Sequence, residues 1–103
     1  MIRHIVMWKL KEEAEGASRK KNAEKLKLIL EGLKINIEEI KNVEVGIQIN
    51  GEDEEGMDVV LICDFKTELD FKMYTRNIHH KKAVKFIDAV TEERVYVDYH
   101  VDV

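Results

Sequence analysis

Val43-Glu44-Val45-Gly46-Ile47-Gln48-Ile49, then Asn50-Gly51-Glu52-Asp53-Glu54-Glu55-Gly56, then Met57-Asp58-Val59-Val60-Leu61-Ile62-Cys63-Asp64-Phe65 is the stretch that decides the fold. In its first part Val43, Val45, Ile47 and Ile49 alternate with Glu44, Gly46, Gln48 and Asn50, the period of a half-buried strand. A polar, acidic loop over Asn50–Gly56 separates it from a second strand, Met57–Phe65. That strand is more continuously apolar, which suits a central position covered on both faces.

Upstream, from Ser18 to about Lys41, the period changes. Leu26, Ile29, Leu30, Leu33, Ile37 and Ile40 recur at three- and four-residue steps among Lys and Glu, the stripe of one long amphipathic helix. Gly16-Ala17-Ser18 supplies its start, with Ser18 as N-cap. Gly32 costs about 1 kcal/mol against Ala within a helix, and reads as a place for close packing or a bend. Before the helix, Ile2–Leu10 is dense in β-branched and aromatic residues and reads as a strand ending in a charged loop.

Downstream, Thr67-Glu68-Leu69-Asp70 is a capping-box variant that opens a helix carrying Leu69, Phe71, Met73 and Tyr74. A polar interruption over Arg76–Lys82 divides it from a second helical piece with Ala83, Val84, Phe86, Ile87 and Val90. The last strand, Arg94–Val103, alternates strictly: Val95, Val97, Tyr99, Val101 and Val103 against Arg94, Tyr96, Asp98, His100 and Asp102. The order β-α-β-β-α-β predicts a ferredoxin-like α+β fold in one domain spanning residues 1–103. Its four-stranded antiparallel sheet has the first and third strands at the centre and the helices on one face.

Two helices cover only one face of such a sheet. His4, Val6, Trp8 and Leu10 share the face assigned to the helices, which leaves Ile5, Met7, Val60 and Ile62 on the other. A contiguous apolar face of this kind predicts a homodimer through sheet faces.

The 103 residues are 45% apolar and 37% charged, with 17 Lys+Arg against 21 Asp+Glu and a net charge of −4. Ordered apolar runs argue against disorder. No apolar stretch approaches the roughly 20 residues of a membrane-spanning helix. Met1-Ile2-Arg3-His4 lacks the pattern of a signal peptide, so a cytoplasmic protein with no membrane partner is expected. Mild acidity disfavours a nucleic-acid partner. RNA-recognition modules share this element order, but Asp58–Phe65 lacks their basic-Gly-aromatic signature. GxGxxG, GxxxxGK[ST], HExxH and GxSxG are all absent. The single cysteine, Cys63, alternates with apolar residues and reads as buried rather than nucleophilic.

Four histidines and three tyrosines are the candidates for acid–base chemistry near neutral pH. His4 lies among apolar neighbours; its plain reading is a core histidine bonded to a backbone carbonyl. Tyr74 and His80 flank a helix–loop–helix corner, which leaves space for a small ligand between helix and sheet. In the plainer reading Tyr74 packs with its hydroxyl outward and His80 caps a helix. Arg76, His79, His80, Lys81, Lys82 and Lys85 form the most basic stretch. Beside the free N–H groups of a helix start they favour an anion, or else form a solvated face. Asp98, His100 and Asp102 share a strand face at about 6.6 Å steps, too wide for one ion. Neither a metal nor a cofactor is expected.

Ile2-Arg3-His4-Ile5-Val6-Met7-Trp8-Lys9-Leu10-Lys11 resembles the xHxVxxKFK opening of stress-responsive α/β-barrel (Dabb) domains. Val43-Glu44-Val45-Gly46, Tyr74 six residues before His80, and Arg94-Val95-Tyr96-Val97-Asp98-Tyr99 agree with the same family, in order along nearly the whole chain. The resemblance implies a dimeric α/β barrel of two facing sheets and a link to stress responses. A distant likeness to the olivetolic acid cyclase implies His80 as general base, Tyr74 as hydrogen-bond donor and His4 as a secondary polar group. Where that cyclase has a further histidine on the third strand, this chain has Val59. The common HPxH stands here as Asn77-Ile78-His79-His80, which leaves open whether His79 or His80 faces the cleft.

The expected function is a family member that binds a small anionic or aromatic molecule in the helix–sheet cleft, with Trp8, His79 and Lys81 as binding residues. The alternatives are a cofactor-free enzyme of cyclase, isomerase or monooxygenase type using His80, Tyr74 and His4, and a non-catalytic assembly protein. An open cavity between His4, Tyr74 and His80 separates the first two from the third.

Overall fold

The computed structural model describes residues 1–51 and 55–102. Glu52, Asp53 and Glu54 of the acidic loop and Val103 of the expected last strand lie outside the described residues. The elements run β1 (Ile2–Leu10), β2 (Glu13–Ala14), β3 (Ala17–Ser18), α1 (Arg19–Asn36), β4 (Ile40–Ile47), β5 (Val59–Phe65), α2 (Glu68–Arg76), α3 (Ile78–Val90) and β6 (Thr91–His100). The main sheet has the order β4-β5-β1-β6, every neighbouring pair antiparallel, so β1 and β5 are central in a ferredoxin-like α+β fold.

Alternation along β1 sorts its side chains. Ile2, His4, Val6, Trp8 and Leu10 are buried beneath the helices, whereas Arg3, Ile5, Met7 and Lys9 are not. Their neighbours follow, because residues directly opposite in an antiparallel pair share a face. Ile5 faces Ile62 and Val97, and Met7 faces Val60 and Val95. The open face therefore carries Val95, Val97 and Tyr99 of β6 in addition to the residues of the two central strands. At one end of that face Arg3 donates Nε to Asp64 Oδ1 at 2.8 Å and Nη2 to Oδ2 at 3.1 Å, a fork-on-fork pair between cross-strand partners. The hydrogen bond from Arg3 holds the Asp64 carboxyl below the usual carboxylate range.

Local chemistry sets the element boundaries. Ser18 caps α1 by accepting from the Lys21 N–H, and Thr67 caps α2 by accepting from Asp70. The apolar spacing overshoots the end of α1, since the helix stops at Asn36 rather than near Lys41. Ile35-Asn36-Ile37 are weak helix formers, and Ile37 takes an extended conformation at φ −122°. Ile37 and Ile40 are still buried, but Ile40 belongs to β4, which begins three residues before the alternating run. The expected break over Arg76–Lys82 shrinks to Asn77. Its side chain accepts from the His79 N–H at 2.8 Å and so starts α3 at Ile78. The last strand begins at Thr91, before Arg94, and ends at His100.

Glu12–Ser18 is not plain loop. A two-residue hairpin, β2–β3, turns at Glu15 (φ 51°) and Gly16 (φ 73°), the left-handed pair that a tight hairpin with matching twist requires. Buried Asn22 of α1 donates to the carbonyls of Ala14 and Ala17 and pins this hairpin. Gly32 does not serve a close approach, since a Cβ there would meet open space, and α1 continues through it.

Candidate functional site

A cavity of about 250 Å³ lies between the sheet and the helices. The sheet lines it with His4, Val6 and Trp8 of β1, Leu61 of β5 and Arg94 of β6. From the helix layer come Leu30 and Leu33 of α1 and Tyr74 of α2. His80, Ala83, Val84, Ile87 and Asp88 of α3 complete the lining. Those five positions follow the i, i+3, i+4, i+7, i+8 rule of a single helical stripe, so His80 shares the inward face of α3. His79 and Lys81 stand about 100° to either side of it on the helix and do not line the cavity. The expected binding residues thus divide: Trp8 is in the lining, His79 and Lys81 are outside it.

Aromatic packing fixes Tyr74. Its ring lies 4.9 Å from Phe65, 4.4 Å from His80 and 6.2 Å from His4, centroid to centroid, and the residue is buried. Phe71, on the same helix, packs with its ring centre 5.0 Å from that of His4 at a tilt of 43°. Burial raises the Tyr74 hydroxyl well above its ordinary value, so it stays protonated and able to donate. Burial pushes the Cys63 thiol, on the adjoining strand, up to about 12, which leaves it unreactive.

His4 is not bonded to a backbone carbonyl. Its Nδ1 is paired with Oδ1 of Asp98, its cross-strand partner on β6. An ionised carboxylate only accepts, so the proton lies on Nδ1 and the ring is held in one orientation. The polar side of β6 thus faces the helices and supplies Asp98 and Arg94 to the site.

His80 is different. Its Nδ1 is buried and has no hydrogen-bond partner. Burial lowers its affinity for a proton; a nearby Thr75 carbonyl acts against this, while the His4 ring and the Arg94 charge add to it. The outcome is a neutral imidazole, with one nitrogen lone pair available near neutral pH. The indole Nε1 of Trp8 is a second buried donor without a partner. Val6, Leu30, Leu33, Leu61, Ala83, Val84 and Ile87 supply the apolar part of the lining. The arrangement is that of a small pocket, somewhat below the roughly 300–1,000 Å³ usual for small-molecule sites. Among the described residues no three His, Cys, Asp or Glu side chains converge as metal ligands.

The family model for the stress responsive A/B barrel domain matches residues 2–101. Among solved structures the chain is similar to a dimeric protein of unknown function with a ferredoxin-like fold from Bacteroides fragilis NCTC 9343. The identity is 27% and the TM-score 0.83, over 97% of this chain and 95% of that one. A dimeric ferredoxin-like protein of unknown function from Thermobifida fusca is 24% identical with TM-score 0.80, over 97% and 90% of the two chains. The hydroxynitrile lyase of Passiflora edulis is 19% identical with TM-score 0.80, over 98% and 93%; these last two likenesses establish the fold alone. No curated protein matches the chain.

Proposed function

We propose that this chain, which belongs to the stress responsive A/B barrel domain (Dabb) family, binds a small organic molecule, anionic or aromatic, in the cavity between its sheet and helices. His80 carries the reading. It lines the cavity beside Tyr74, it is kept neutral by burial, and its buried Nδ1 makes no hydrogen bond of good geometry within the protein. Unpaired buried polar atoms cost about 1–3 kcal/mol each, and a purely structural assembly protein gains nothing from this one or from the open space next to it.

Cofactor-free proton transfer on the bound molecule is the second reading, favoured by the contact of a neutral imidazole with a protonated phenol. His80 would take a proton from a carbon next to a carbonyl. The Tyr74 hydroxyl would donate a hydrogen bond to the oxyanion that develops as the electron pair moves onto oxygen. His4, oriented by Asp98, would be the secondary polar group. A fold likeness to a protein described as a hydroxynitrile lyase is consistent with chemistry in this architecture.

We also infer that a second copy of the chain covers the open sheet face. Met7, Val95, Val97 and Tyr99 are each 38–51% exposed there. Soluble monomers seldom leave so continuous an apolar surface to water. Two of the similar structures are described as dimeric.

Benzoate and benzamide are suitable probes, alike in shape and different in charge. Either one should shift the His80 ring resonances in an NMR titration while those of exposed His100 stay in place. If neither probe moves His80, or if both histidines respond equally, the cavity reading fails.

A further inference from the structure

Trp8 and Arg94 are directly opposite each other on β1 and β6. Both project to the helix-facing side of the sheet, and both line the cavity. Side chains so paired have Cβ atoms about 4.5–5.5 Å apart. Trp8 is buried, and its indole nitrogen, which can only donate, has no acceptor. Arg94 is held with its guanidinium carbon 4.7 Å from the centre of the Tyr96 ring, two residues along the same strand face. Among the described residues no carboxylate is within ion-pairing distance of it. Asp88 lines the same cavity, yet it is exposed and does not pair with Arg94.

Two adjacent donors, one buried and neutral and one cationic, lack a protein acceptor in a cavity whose walls also carry Val6, Leu30, Leu33, Leu61, Val84 and Ile87. We propose that Trp8 and Arg94 form its anion-recognition end, and that the ligand is a small monocarboxylate with an apolar body. One carboxylate oxygen accepts from the Trp8 indole and the other from the Arg94 guanidinium. The body lies along Leu30, Leu33 and Leu61, and the remaining end meets Tyr74 and His80. The basic run at His79 and Lys81, the sequence feature that suggested an anion, lies outside the cavity, and Arg94 takes over its role. The reach of the Arg94 charge agrees: after burial, it is among the influences acting on the titration of both Tyr74 and His80.

This inference rests on the cavity reading above, and the test separates the two. Trp8 is the sole tryptophan, so its emission and its one indole N–H resonance report directly on this end of the cavity. Benzoate should bind about tenfold more tightly than benzamide, the effect of one charge-assisted hydrogen bond, and should move the indole resonance downfield. Arg94→Gln should bring the affinity for benzoate down to that for benzamide, so that the tenfold ratio between the two probes is lost. Arg94→Lys should keep part of it. Equal affinity for the two probes in the wild type, or a preference that survives Arg94→Gln, overturns the anion site while the cavity reading stands. If neither probe binds the wild type, both fall together.

Discussion

Asp98 stands directly across the strand pair from His4 and accepts the hydrogen on its Nδ1. The pair joins the buried centre of the sheet to its edge, since the His4 side chain is 9% exposed and that of Asp98 32%. Asp98→Ala leaves the imidazole buried with an unpaired donor, and should cost about 1–3 kcal/mol of stability. His4→Phe removes the polar group together with its need for a partner. Urea unfolding of the two single variants and the double variant checks this. The double variant should lose distinctly less than the sum of the singles, as expected for contacting residues. Additive losses would mean that the pair contributes no coupling.

Stability should also depend on pH through His80. Burial lowers its proton affinity in the folded chain below the ordinary value of 6.5. Above that pH the ring is neutral in both states and contributes no slope. As pH falls through 6.5 the unfolded chain takes up a proton that the folded chain does not, so stability declines until the folded ring itself titrates. The wild type should therefore lose more unfolding free energy below pH 6.5 than His80→Gln, measured by urea unfolding across pH. The NMR midpoint of His80 should lie below 6.5. A midpoint above that value would reverse the sign and remove the case for a neutral base.

Period and order made the scaffold legible: alternation in β1, β4, β5 and β6, the stripe of α1, and the Ser18 and Thr67 caps all lie in the sequence. The open face was legible too, because two helices cannot cover both sides of a sheet. The end of α1 was not. Ile37 and Ile40 keep helical spacing for a different reason, each being buried where the chain turns from helix into sheet. The site was half legible. Tyr74 and His80 were visible as residue types at a helix corner, and the choice between His79 and His80 was available from the spacing of His80 with Ala83, Val84 and Ile87. Arg94 and Asp98 were hidden because β6 is an edge strand. There the polar side of an alternating strand reads as water-facing, although here it lies beside the cavity. The apolar side, Val95 and Val97, faces outward instead.

That outward apolar side gives the dimer inference a direct test. Met7 and Val60 are cross-strand partners at the middle of the open face. Either Val60→Asp or Met7→Glu would place a charge where a second sheet is expected, and an unpaired buried charge is strongly disfavoured. Light scattering should give the mass of one chain, or aggregates, for these variants and twice the chain mass for the wild type. A dimer mass unchanged by both substitutions would remove this face as the interface.

Filling the cavity should separate its role in binding from any role in folding. Ala83 is buried on the inward stripe of α3, one turn after His80, and lines a space of about 250 Å³. Ala83→Leu adds three carbons toward space that is already present. Each buried methylene contributes roughly 0.8 kcal/mol when it fits, against about 1–3 kcal/mol for overpacking in a filled core. The melting temperature should therefore hold or rise by a few degrees, while the response of His80 to benzoate and benzamide disappears. Such a gain in stability with loss of binding is the usual mark of a functional cavity that a residue has been made to fill. A lowered melting temperature with ligand response intact would show that the space beside Ala83 is closed in the folded chain and that the probes bind elsewhere.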